Sequence, residues 1–365
     1  MYSIIILYKI FEKVKKGRFI MEKIRLGLIG CGGMMKNHAK GVNLVENVEI
    51  TAVCDTEIER ANDVASVLNN PYVTTDYKTM VDKVDAILCV LPHHLHYECG
   101  MFFARHKKHI LMEKPLCNSE EECISLMETC EKEGVVLMCA YPVRYWPGVV
   151  KLKEMIDSGE YGKVMQMSIW TEQLTRTEEG SWKSDSRLGG GQFFSHGCHY
   201  VDIMLWFLGK PLKGMHFGSR VGTPWLMKEG TSAAIFQFEN GAVGYHGATW
   251  GARGTRLGYD FQIQTEKGLL DYDHIDGVIR LYDASAEHVP GLEEQRTFKE
   301  LWRRGADCSK ETQHEIKHFA DCIINGKKPL TDAKSALAGL RVVWKMYEAE
   351  KTGVVADLSD ISLED

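Results

Sequence analysis

The chain has 365 residues, 44% of them hydrophobic, which is enough for two domains of ordinary size with separate buried cores. Lys and Arg number 44 against 50 Asp and Glu, and the net charge of -6 argues against partners such as nucleic acid or anionic membrane. A small neutral or polar ligand fits this balance better. The 11 cysteines are scattered without any C-x-x-C pair, which is typical of a cytoplasmic protein in a reducing compartment.

The first 20 residues form a leader that does not have the pattern of a signal peptide. Its apolar stretch is short, it precedes the basic cluster, and no small-residue cleavage site follows. A second methionine, Met21, stands just before the first good strand. We expect the natural start at Met21 and the leader, residues 1–20, to be disordered or non-native. No apolar run is long enough to span a bilayer.

Short apolar runs alternate with amphipathic helical stretches between Lys23 and Tyr141. The runs are IRLGLIG (24–30), VEITAVCD (48–55), VDAILCV (84–90), HILME (109–113) and VVLMCAY (135–141). Such alternation predicts an α/β fold with a doubly wound parallel sheet. The runs are nearly continuous in Val, Ile and Leu, as expected of strands that helices cover on both faces.

The pattern changes after Pro147 to a mixture of helices and alternating strands. A helix is predicted over 148–158, a strand over 164–174, a helix from about Ser195 to Leu208, and two helices near 311–325 and 332–351. The alternating runs between them lie at 231–240, 242–251, 259–268 and 268–273. They predict a large, mainly antiparallel sheet with one open face. We therefore expect a first domain over 21–143 and an α+β domain over 144–365, with its C-terminal helix free to pack back on the first.

A glycine turn follows the first predicted strand and opens a helix, in the sequence Gly30-Cys31-Gly32-Gly33-Met34-Met35. Gly30 permits a tight turn, and Gly32 lets the backbone approach a pyrophosphate at the helix N-terminus. The third position of the usual G-x-G-x-x-G pattern is Met35 rather than Gly.

Asp55 ends the second predicted strand, near the spacing of about 20 residues expected for the acid that binds the ribose hydroxyls. A carboxylate at this position repels a 2′-phosphate, so NAD is expected in preference to NADP. The alternative interpretation is an ordinary βαβ turn followed by an unrelated surface aspartate.

Several further motifs occur in a fixed order along the chain. They are GLIGCGG (27–33), Cys54-Asp55, LPHHLH (91–96), EKP (113–115), Tyr141-x-x-Arg144, GGG (189–191) with His199-x-x-Asp202, and NGKKPL (325–330). In order and spacing the chain resembles the glucose–fructose oxidoreductase, inositol dehydrogenase and rhizopine-catabolism (Gfo/Idh/MocA) family, from Met21 to about residue 355. The resemblance implies a Rossmann domain that binds NAD, followed by a domain for substrate binding and oligomerisation.

Lys114 lies at the end of a predicted parallel strand, where doubly wound sheets bind their ligands. Its ammonium group can donate to a substrate hydroxyl and relay a proton. The resemblance gives the EKP lysine this catalytic role beside substrate and nicotinamide, with Glu113 next to the cofactor. The alternative is a surface lysine in a turn.

His199 resembles the family's histidine on the helix after the glycine loop. A base that accepts the hydroxyl proton contributes roughly 10²–10⁴-fold to such an oxidation, and imidazole titrates in the useful range. The alternative is a core histidine. Four residues earlier, where the sugar and inositol dehydrogenases commonly have Asp, this chain has Ser195, followed by His196. Either Ser195 only hydrogen-bonds substrate, or another acid such as Asp202 orients the ring.

The resemblance also implies a cofactor loop formed by Leu91, Pro92, His93 and His96, over the nicotinamide ribose. The usual Asn of this loop is His93 here. The run His93-His94-x-His96 suggests a metal cluster as an alternative, but neither a carboxylate nor a cysteine completes a ligand set, so no metal is expected.

Two further positions are expected near the substrate. Arg144 resembles the arginine close to substrate or to the nicotinamide carboxamide, with an interdomain salt bridge as the alternative. Trp182 offers a face for sugar stacking, and a core tryptophan is an equal alternative. The candidate substrate-binding residues are Lys114, Arg144, Trp182, Ser195, His196 and His199. The candidate cofactor-binding residues are Gly30, Cys31, Gly32, Gly33, Met34, Met35, Asp55, Leu91, Pro92, His93, His96, Glu113, Lys114 and Arg144.

The expected function is NAD-dependent oxidation of a secondary hydroxyl of a sugar, glycoside or polyol, with C3 oxidation to a 3-oxo product as one option. A second hypothesis keeps NAD bound and uses it in a redox cycle for transfer or glycoside cleavage. A third is a non-catalytic dinucleotide-binding regulator, although such a protein needs neither Lys114 nor His199. The open sheet face predicts a homo-oligomer, a dimer or tetramer as is common in the family.

Overall fold

The first domain is built on a six-stranded parallel sheet. The computed structural model describes residues 23–178, 180–283, 298–305 and 311–363, so the leader and Met21 lie outside it. The strands are β1 (Ile24–Ile29), β2 (Val48–Cys54), β3 (Tyr72–Thr74), β4 (Ala86–Cys89), β5 (His109–Glu113) and β6 (Leu137–Ala140). Their order is β3-β2-β1-β4-β5-β6, which is the doubly wound arrangement and confirms the predicted Rossmann sheet.

Helices cover both faces of this sheet. They are α1 (Gly33–Val42), α2 (Ile58–Ala65), α3 (His96–Arg105) and α4 (Glu120–Glu133). Leu26 and Leu28 face a core shared with α1 and α2, whereas Ile87 and Cys89 face the core under α3 and α4. Burial on both faces explains the continuous apolar runs in the sequence. The order of the strands reverses between β1 and β4, and the turn of Gly30 and the loop of Leu91 open there.

The second domain is built on a nine-stranded sheet. Helix α5 (Pro147–Asp157) leads into it. Its strands are β7 (Val164–Glu172), β8 (Pro211–Ser219), β9 (Thr231–Phe238), β10 (Val243–Thr249), β11 (Tyr259–Thr265), β12 (Gly268–Asp273), β13 (Val278–Asp283), β14 (Lys299–Arg303) and β15 (Ala356–Asp357). The strand order is β14-β13-β12-β11-β7-β10-β9-β8-β15. Among the described strands of this second sheet, only the pair β7 and β10 is parallel, so the predicted mainly antiparallel sheet is confirmed.

The two faces of this sheet differ in what covers them. Ile169, Phe236 and Phe261 point into a core that is shared with α6 (Cys198–Leu208) and α8 (Ala333–Thr352). Strand pairing directs Phe217, Ile235 and Val243 to the opposite face, where they are 62%, 49% and 42% exposed. No described element of the chain covers these three side chains.

The helix predicted from about Ser195 begins two residues earlier, with a π-helical turn over Phe193–Gly197 that continues into α6. The Phe193 amide donates to Glu229 Oε1 at 2.9 Å, and the Phe194 amide donates to the Tyr347 hydroxyl at 3.1 Å. These partners satisfy amides that a helix end otherwise leaves unpaired. Both partners are distant in sequence, so the local pattern gave no sign of the earlier start.

The last two helices connect the C-terminal part of the chain to the first domain. Helix α7 (Gln313–Asn325) packs against α1, and α8 packs against α4. Arg341 of α8 donates from Nε to Glu120 Oε1 of α4 at 2.8 Å. Among the described residues, no helix is long and apolar enough to cross a membrane.

Candidate active site

The turn after β1 has the geometry that a pyrophosphate needs. Gly30 has a φ of +84°, and a Cβ at this position would lie 2.3 Å from the Val90 carbonyl oxygen, so only glycine fits. A Cβ on Gly32 or Gly33 would meet no atom within 4 Å. No side chain caps the N-terminus of α1. Its first amides are therefore available to an anion, as the predicted cradle requires.

The remaining residues of the turn differ in what their side chains can reach. Cys31 and Met35 are buried, at 1% and 0% exposure, and Met35 packs in the core between α1 and the sheet. Met34 is half-buried. If Cys31 and Met35 contact a cofactor, they do so through their backbone.

Asp55 is bonded to the glycine turn itself. Its Oδ2 accepts from the Cys31 amide at 2.7 Å, and its Oδ1 accepts from the Glu57 amide at 2.9 Å. The side chain is only 9% exposed. This fixed carboxylate beside the turn argues against the alternative of an unrelated surface aspartate.

The loop after β4 is held by its histidines. His93 Nδ1 lies 2.9 Å from the Gly189 carbonyl oxygen of the second domain. His96 is fully buried, and its two ring nitrogens lie 2.9 Å from the carbonyl oxygens of Pro115 and Leu91. His96 thus holds the loop of Leu91 and half-buried Pro92 against the loop that follows Lys114.

The alternative of a histidine metal cluster is not supported by these positions. His94 is exposed, whereas His93 and His96 are buried and bonded to different carbonyl groups. Within the described parts of the chain, no group of three His, Cys, Asp or Glu side chains could hold a metal ion.

Lys114 connects the two domains at the carboxyl edge of the parallel sheet. It follows β5 directly, and its peptide bond to Pro115 is cis. Its Nζ donates to the Ser195 carbonyl oxygen at 2.8 Å. The ammonium group is therefore directed at the helical turn that precedes His199, as a catalytic pairing of the two requires.

Glu113 belongs to a buried cluster that the sequence analysis missed. Its Oε1 lies 2.8 Å from His38 Nε2 of α1, and its Oε2 accepts from the Lys114 amide at 3.1 Å. Burial acts to raise the pKa of Glu113, but the hydrogen bond to His38 and the charges of His38 and Lys114 outweigh burial and lower this pKa. Glu113 is thus an ionised group next to Lys114.

Glu315 of α7 completes this cluster. Its Oε1 lies 3.9 Å from His38 Nδ1, and neither of its oxygens has a hydrogen-bond partner among the described residues. Burial, and then the charge of Glu113, raise the pKa of Glu315 well above its usual value. One signal for the cluster was present: His38 and Glu315 are polar residues on helix faces that are otherwise apolar.

His199 lies on the first turn of α6 and is 7% exposed. Its ring centroid is 5.5 Å from that of Tyr141 and 5.8 Å from that of the half-buried His196. The Ser195 hydroxyl donates to the Gly189 carbonyl oxygen at 2.8 Å. The structure therefore gives Ser195 a contact that the sequence analysis did not consider, in which its hydroxyl closes the glycine loop.

Arg144 forms a salt bridge, the kind of contact that its alternative interpretation gave, but the partner, Asp202, lies within the same predicted domain, 144–365. Nε and Nη2 each donate to an Asp202 oxygen at 2.7 Å, and the side chain is 6% exposed. Asp202 uses both carboxylate oxygens in this pair. The pair with Arg144 is thus an established contact of Asp202, and orientation of the His199 ring by Asp202 stays a prediction.

Trp182 lies at the margin of the site. Its ring is half-buried and meets the His93 ring edge to face, with centroids 4.4 Å apart. The indole thus packs on the loop after β4 and keeps part of its surface exposed, so packing and sugar stacking are both compatible with its position.

Comparison with known proteins agrees with this geometry. Residues 24–141 match the model of an oxidoreductase family with an NAD-binding Rossmann fold, and residues 149–271 match the GFO/IDH/MocA C-terminal domain. The protein is thus an NAD-binding oxidoreductase of the two-domain Rossmann class. The two matches together cover more than half of the chain, which belongs to the Gfo/Idh/MocA family.

Individual relatives are similar over nearly the whole chain. The scyllo-inositol 2-dehydrogenase (NAD(+)) of Bacillus subtilis is 27% identical over 88% of this chain and 92% of its own length. The D-xylose 1-dehydrogenase (NADP(+)) 2 of Haloferax volcanii is 25% identical over 91% and 99%. A levoglucosan dehydrogenase solved with NADH and levoglucosan has a TM-score of 0.81 at 20% identity, covering 92% of this chain and 99% of its own, and shares the fold.

Proposed function

We propose that this protein oxidises a secondary hydroxyl of a sugar, glycoside or polyol, with NAD as the hydride acceptor. The observation that carries the proposal is the 2.8 Å hydrogen bond from Lys114 Nζ to the Ser195 carbonyl oxygen. It joins the carboxyl edge of the dinucleotide-binding sheet to the helical turn before His199. The names of the relatives, dehydrogenases of inositol and xylose, support the same class of substrate.

The reaction converts an alcohol to a ketone, and a side chain must accept the hydroxyl proton. When bound, nicotinamide supplies the acceptor for the hydride that leaves the carbinol carbon. Lys114 has three N–H groups, so it can donate to the substrate hydroxyl while it keeps its bond to Ser195. His199 takes the proton on its imidazole, a contribution of roughly 10²–10⁴-fold.

The preference for NAD over NADP is assigned to Asp55. Its carboxylate is fixed by the amides of Cys31 and Glu57 at the position where a 2′-phosphate would lie against a negative charge. One relative is named as an NADP enzyme, so cofactor choice varies among similar proteins. The cofactor preference of this chain must therefore be inferred from the residues at its own glycine turn.

A glycoside or a glycoside-like sugar is the substrate that we favour within this class. Residue 195 is Ser where the sugar and inositol dehydrogenases commonly have Asp, so this position supplies a hydroxyl, bonded to Gly189, instead of a carboxylate. A glycoside has no free anomeric hydroxyl, which leaves the ring hydroxyls at C2, C3 and C4 for oxidation. We propose C3, because a 3-oxo product acidifies the neighbouring C–H bonds and would allow a partner enzyme to eliminate the aglycone.

The proposal is tested by mixing the protein with NAD or NADP and a panel of monosaccharides, inositols and glycosides. Reduced nicotinamide absorbance should rise with at least one compound, and faster with NAD. Identification of the product by NMR assigns the oxidised carbon. A silent panel, with no dinucleotide released on denaturation, would contradict dehydrogenase function. Bound dinucleotide with turnover that needs no added NAD would instead indicate the internal redox cycle.

We also propose that the protein forms a homo-oligomer through the outer face of the nine-stranded sheet. Phe217, Ile235 and Val243 lie on neighbouring strands of that face and are all exposed. A contiguous apolar surface of this kind usually marks an interface. Light scattering should give a dimer or a larger species, and a monomer would contradict the proposal.

A further inference from the structure

One backbone oxygen in the site accepts hydrogen bonds from both domains. The Gly189 carbonyl oxygen lies 2.9 Å from His93 Nδ1, in the loop after β4, and 2.8 Å from Ser195 Oγ, in the π-helical turn. A carbonyl oxygen has two lone pairs, so these two donors fill its capacity. His93 and Ser195 are 5% and 7% exposed, so water does not readily replace either donor.

The acceptor fixes the tautomer of His93. A carbonyl oxygen cannot donate, so Nδ1 must carry the proton. Burial, and then the charges of His96 and Lys114, lower the pKa of His93 well below its usual value, so the ring is neutral. The hydrogen bond to Gly189 is therefore present in the neutral form of the ring.

The glycine loop approaches the first domain too closely for any other residue at Gly189. This residue has a φ of +97°, and a Cβ would lie 2.7 Å from Asn118 Oδ1 and 2.8 Å from His93 Nδ1. The ring of His93 also packs edge to face against Trp182, at a centroid distance of 4.4 Å. The contact between loop and domain is thus packed as well as hydrogen-bonded.

Ser195 connects this contact to the proposed catalytic lysine. Its amide donates to the Gly191 carbonyl oxygen at 3.0 Å, its hydroxyl donates to Gly189, and its own carbonyl oxygen accepts from Lys114 Nζ at 2.8 Å. Any movement of the glycine loop therefore also displaces the Ser195 carbonyl oxygen, which is the acceptor for Lys114 Nζ.

We propose that His93 and Ser195 are paired positioning residues, whose shared acceptor on Gly189 holds the glycine loop against the Rossmann domain and sets Lys114 relative to the His199 turn. Besides Met35 in the glycine turn, these are the two positions where the sequence departs from the expected pattern, with His93 for Asn and Ser195 for Asp. The departures meet at one atom and form a single unit. The inference rests on the proposed function only in taking Lys114 and His199 as the catalytic pair.

The test is a double-mutant cycle read by hydrogen exchange of the full chain without substrate. His93→Phe removes the donor and keeps a ring beside Trp182, and Ser195→Ala removes the hydroxyl. Each change should speed amide exchange in residues 189–195 by roughly three- to tenfold, the effect of one lost hydrogen bond. Because the two act as a unit, the double variant should exchange little faster than either single variant. The proposal is overturned if exchange in the double variant speeds up by a factor equal to or above the product of the two single-variant factors.

Conservative variants separate the hydrogen bonds from bulk and from general stability. Asn places a donor close to the position of Nδ1, so His93→Asn should keep the protection that His93→Phe loses, and Ser195→Thr should do the same for the hydroxyl. Thr265→Val is a matched control, because Thr265 Oγ1 makes a similar buried 2.8 Å bond to the Gly268 carbonyl oxygen in the β11–β12 turn. This variant should leave exchange in 189–195 unchanged. If the conservative variants and Thr265→Val speed exchange in 189–195 as much as His93→Phe and Ser195→Ala do, the pairing is refuted.

Activity supplies a second readout once a substrate is known. Loss of either donor should lower kcat more than it raises KM and should shift the pH profile of kcat, since Lys114 is displaced while the substrate pocket remains. A change confined to KM would contradict the positioning role. The exchange cycle needs no substrate, so it tests this inference even if no compound in the panel is oxidised. Failure of the proposed function and failure of this inference are therefore distinguishable.

Discussion

The guanidinium of Arg144 and the carboxylate of Asp202 form a two-point ion pair, with Nε to Oδ2 and Nη2 to Oδ1 both at 2.7 Å. Arg144 Nη1 also donates to the Leu330 carbonyl oxygen at 3.1 Å. Burial raises the pKa of Asp202, and Arg144 opposes that shift. The pair thus joins the start of the second domain to α6, the helix of His199, and to the segment before α8.

Breaking this pair from one side should be costly. Arg144→Met leaves the Asp202 carboxylate buried without a partner, and we expect the free energy of unfolding to fall by about 3–5 kcal/mol in urea titration. The double variant Arg144→Met/Asp202→Leu should recover much of that loss. If Arg144 contacts the cofactor, as the sequence suggested, NAD affinity will stay low in the double variant. Recovery of NAD affinity together with stability would assign Arg144 to the pair with Asp202 alone.

Lys114→Ala should lower kcat/KM by roughly 10²–10⁴-fold, while NAD binding remains measurable by calorimetry. The ammonium is the group directed at the His199 turn, and the glycine turn that holds the dinucleotide is left intact. Lys132→Ala, at an exposed position near the end of α4, is the matched control and should retain full activity. Full activity in Lys114→Ala would remove the lysine from the mechanism.

Asp55→Asn should weaken NAD binding and reduce the preference for NAD over NADP, because the substitution removes the negative charge. The Asn side chain still offers an acceptor for one backbone amide. Asp55→Ala also loses both bonds to Cys31 and Glu57, so it should bind NAD more weakly still. Kd values for both cofactors, measured by fluorescence titration, check this. An unchanged ratio of the NAD and NADP affinities in Asp55→Asn would show that another group discriminates.

Glu315→Gln should stabilise the protein at neutral pH. The pKa of Glu315 is raised in the folded state, so the folded chain holds a proton that the unfolded chain releases above its usual pKa of 4.5. Stability of the wild type is therefore lost as the pH rises from that value through the folded pKa. We expect a gain of roughly 1–3 kcal/mol for the variant near pH 8 and almost none near pH 4.

The control for this prediction is Glu348→Gln, at a position whose side chain is 72% exposed. It should show no pH-dependent gain in thermal or urea unfolding. A Glu315→Gln variant that is equally stable relative to wild type at both pH values would mean that Glu315 is ionised in the fold.

The elements of the first domain were predictable because their signals are local. Apolar runs, glycine turns and the position of Asp55 after β2 all lie within one βαβ unit, so spacing alone predicts their arrangement. The alternation of the later strands predicted the second sheet in the same way. The pattern missed β3 in the first sheet and β8, β13, β14 and β15 in the second. It also placed the start of α6 two residues late, because that start depends on Glu229 and Tyr347 from distant parts of the chain.

The contacts that define the site were not predictable from pattern. His93 reaches Gly189 across 96 positions, and Lys114 reaches Ser195 across 81. Periodicity places each residue on an element but carries no information about which distant backbone oxygen it meets. Arg144 shows the same limit, since its motif suggested a ligand contact or a salt bridge but could not identify Asp202 as its partner.

The central claim is that hydride passes from a carbinol carbon of the substrate to bound NAD at the Lys114–His199 site. The most direct test uses a compound that turns over in the panel, deuterated at the carbon to be oxidised, with mass spectrometry of the reduced dinucleotide. We expect one deuterium in the reduced nicotinamide formed by the wild type, and formation of this species slowed by roughly 10²–10⁴-fold in Lys114→Ala. Deuterium found in solvent, or retained in the product, would contradict the central claim.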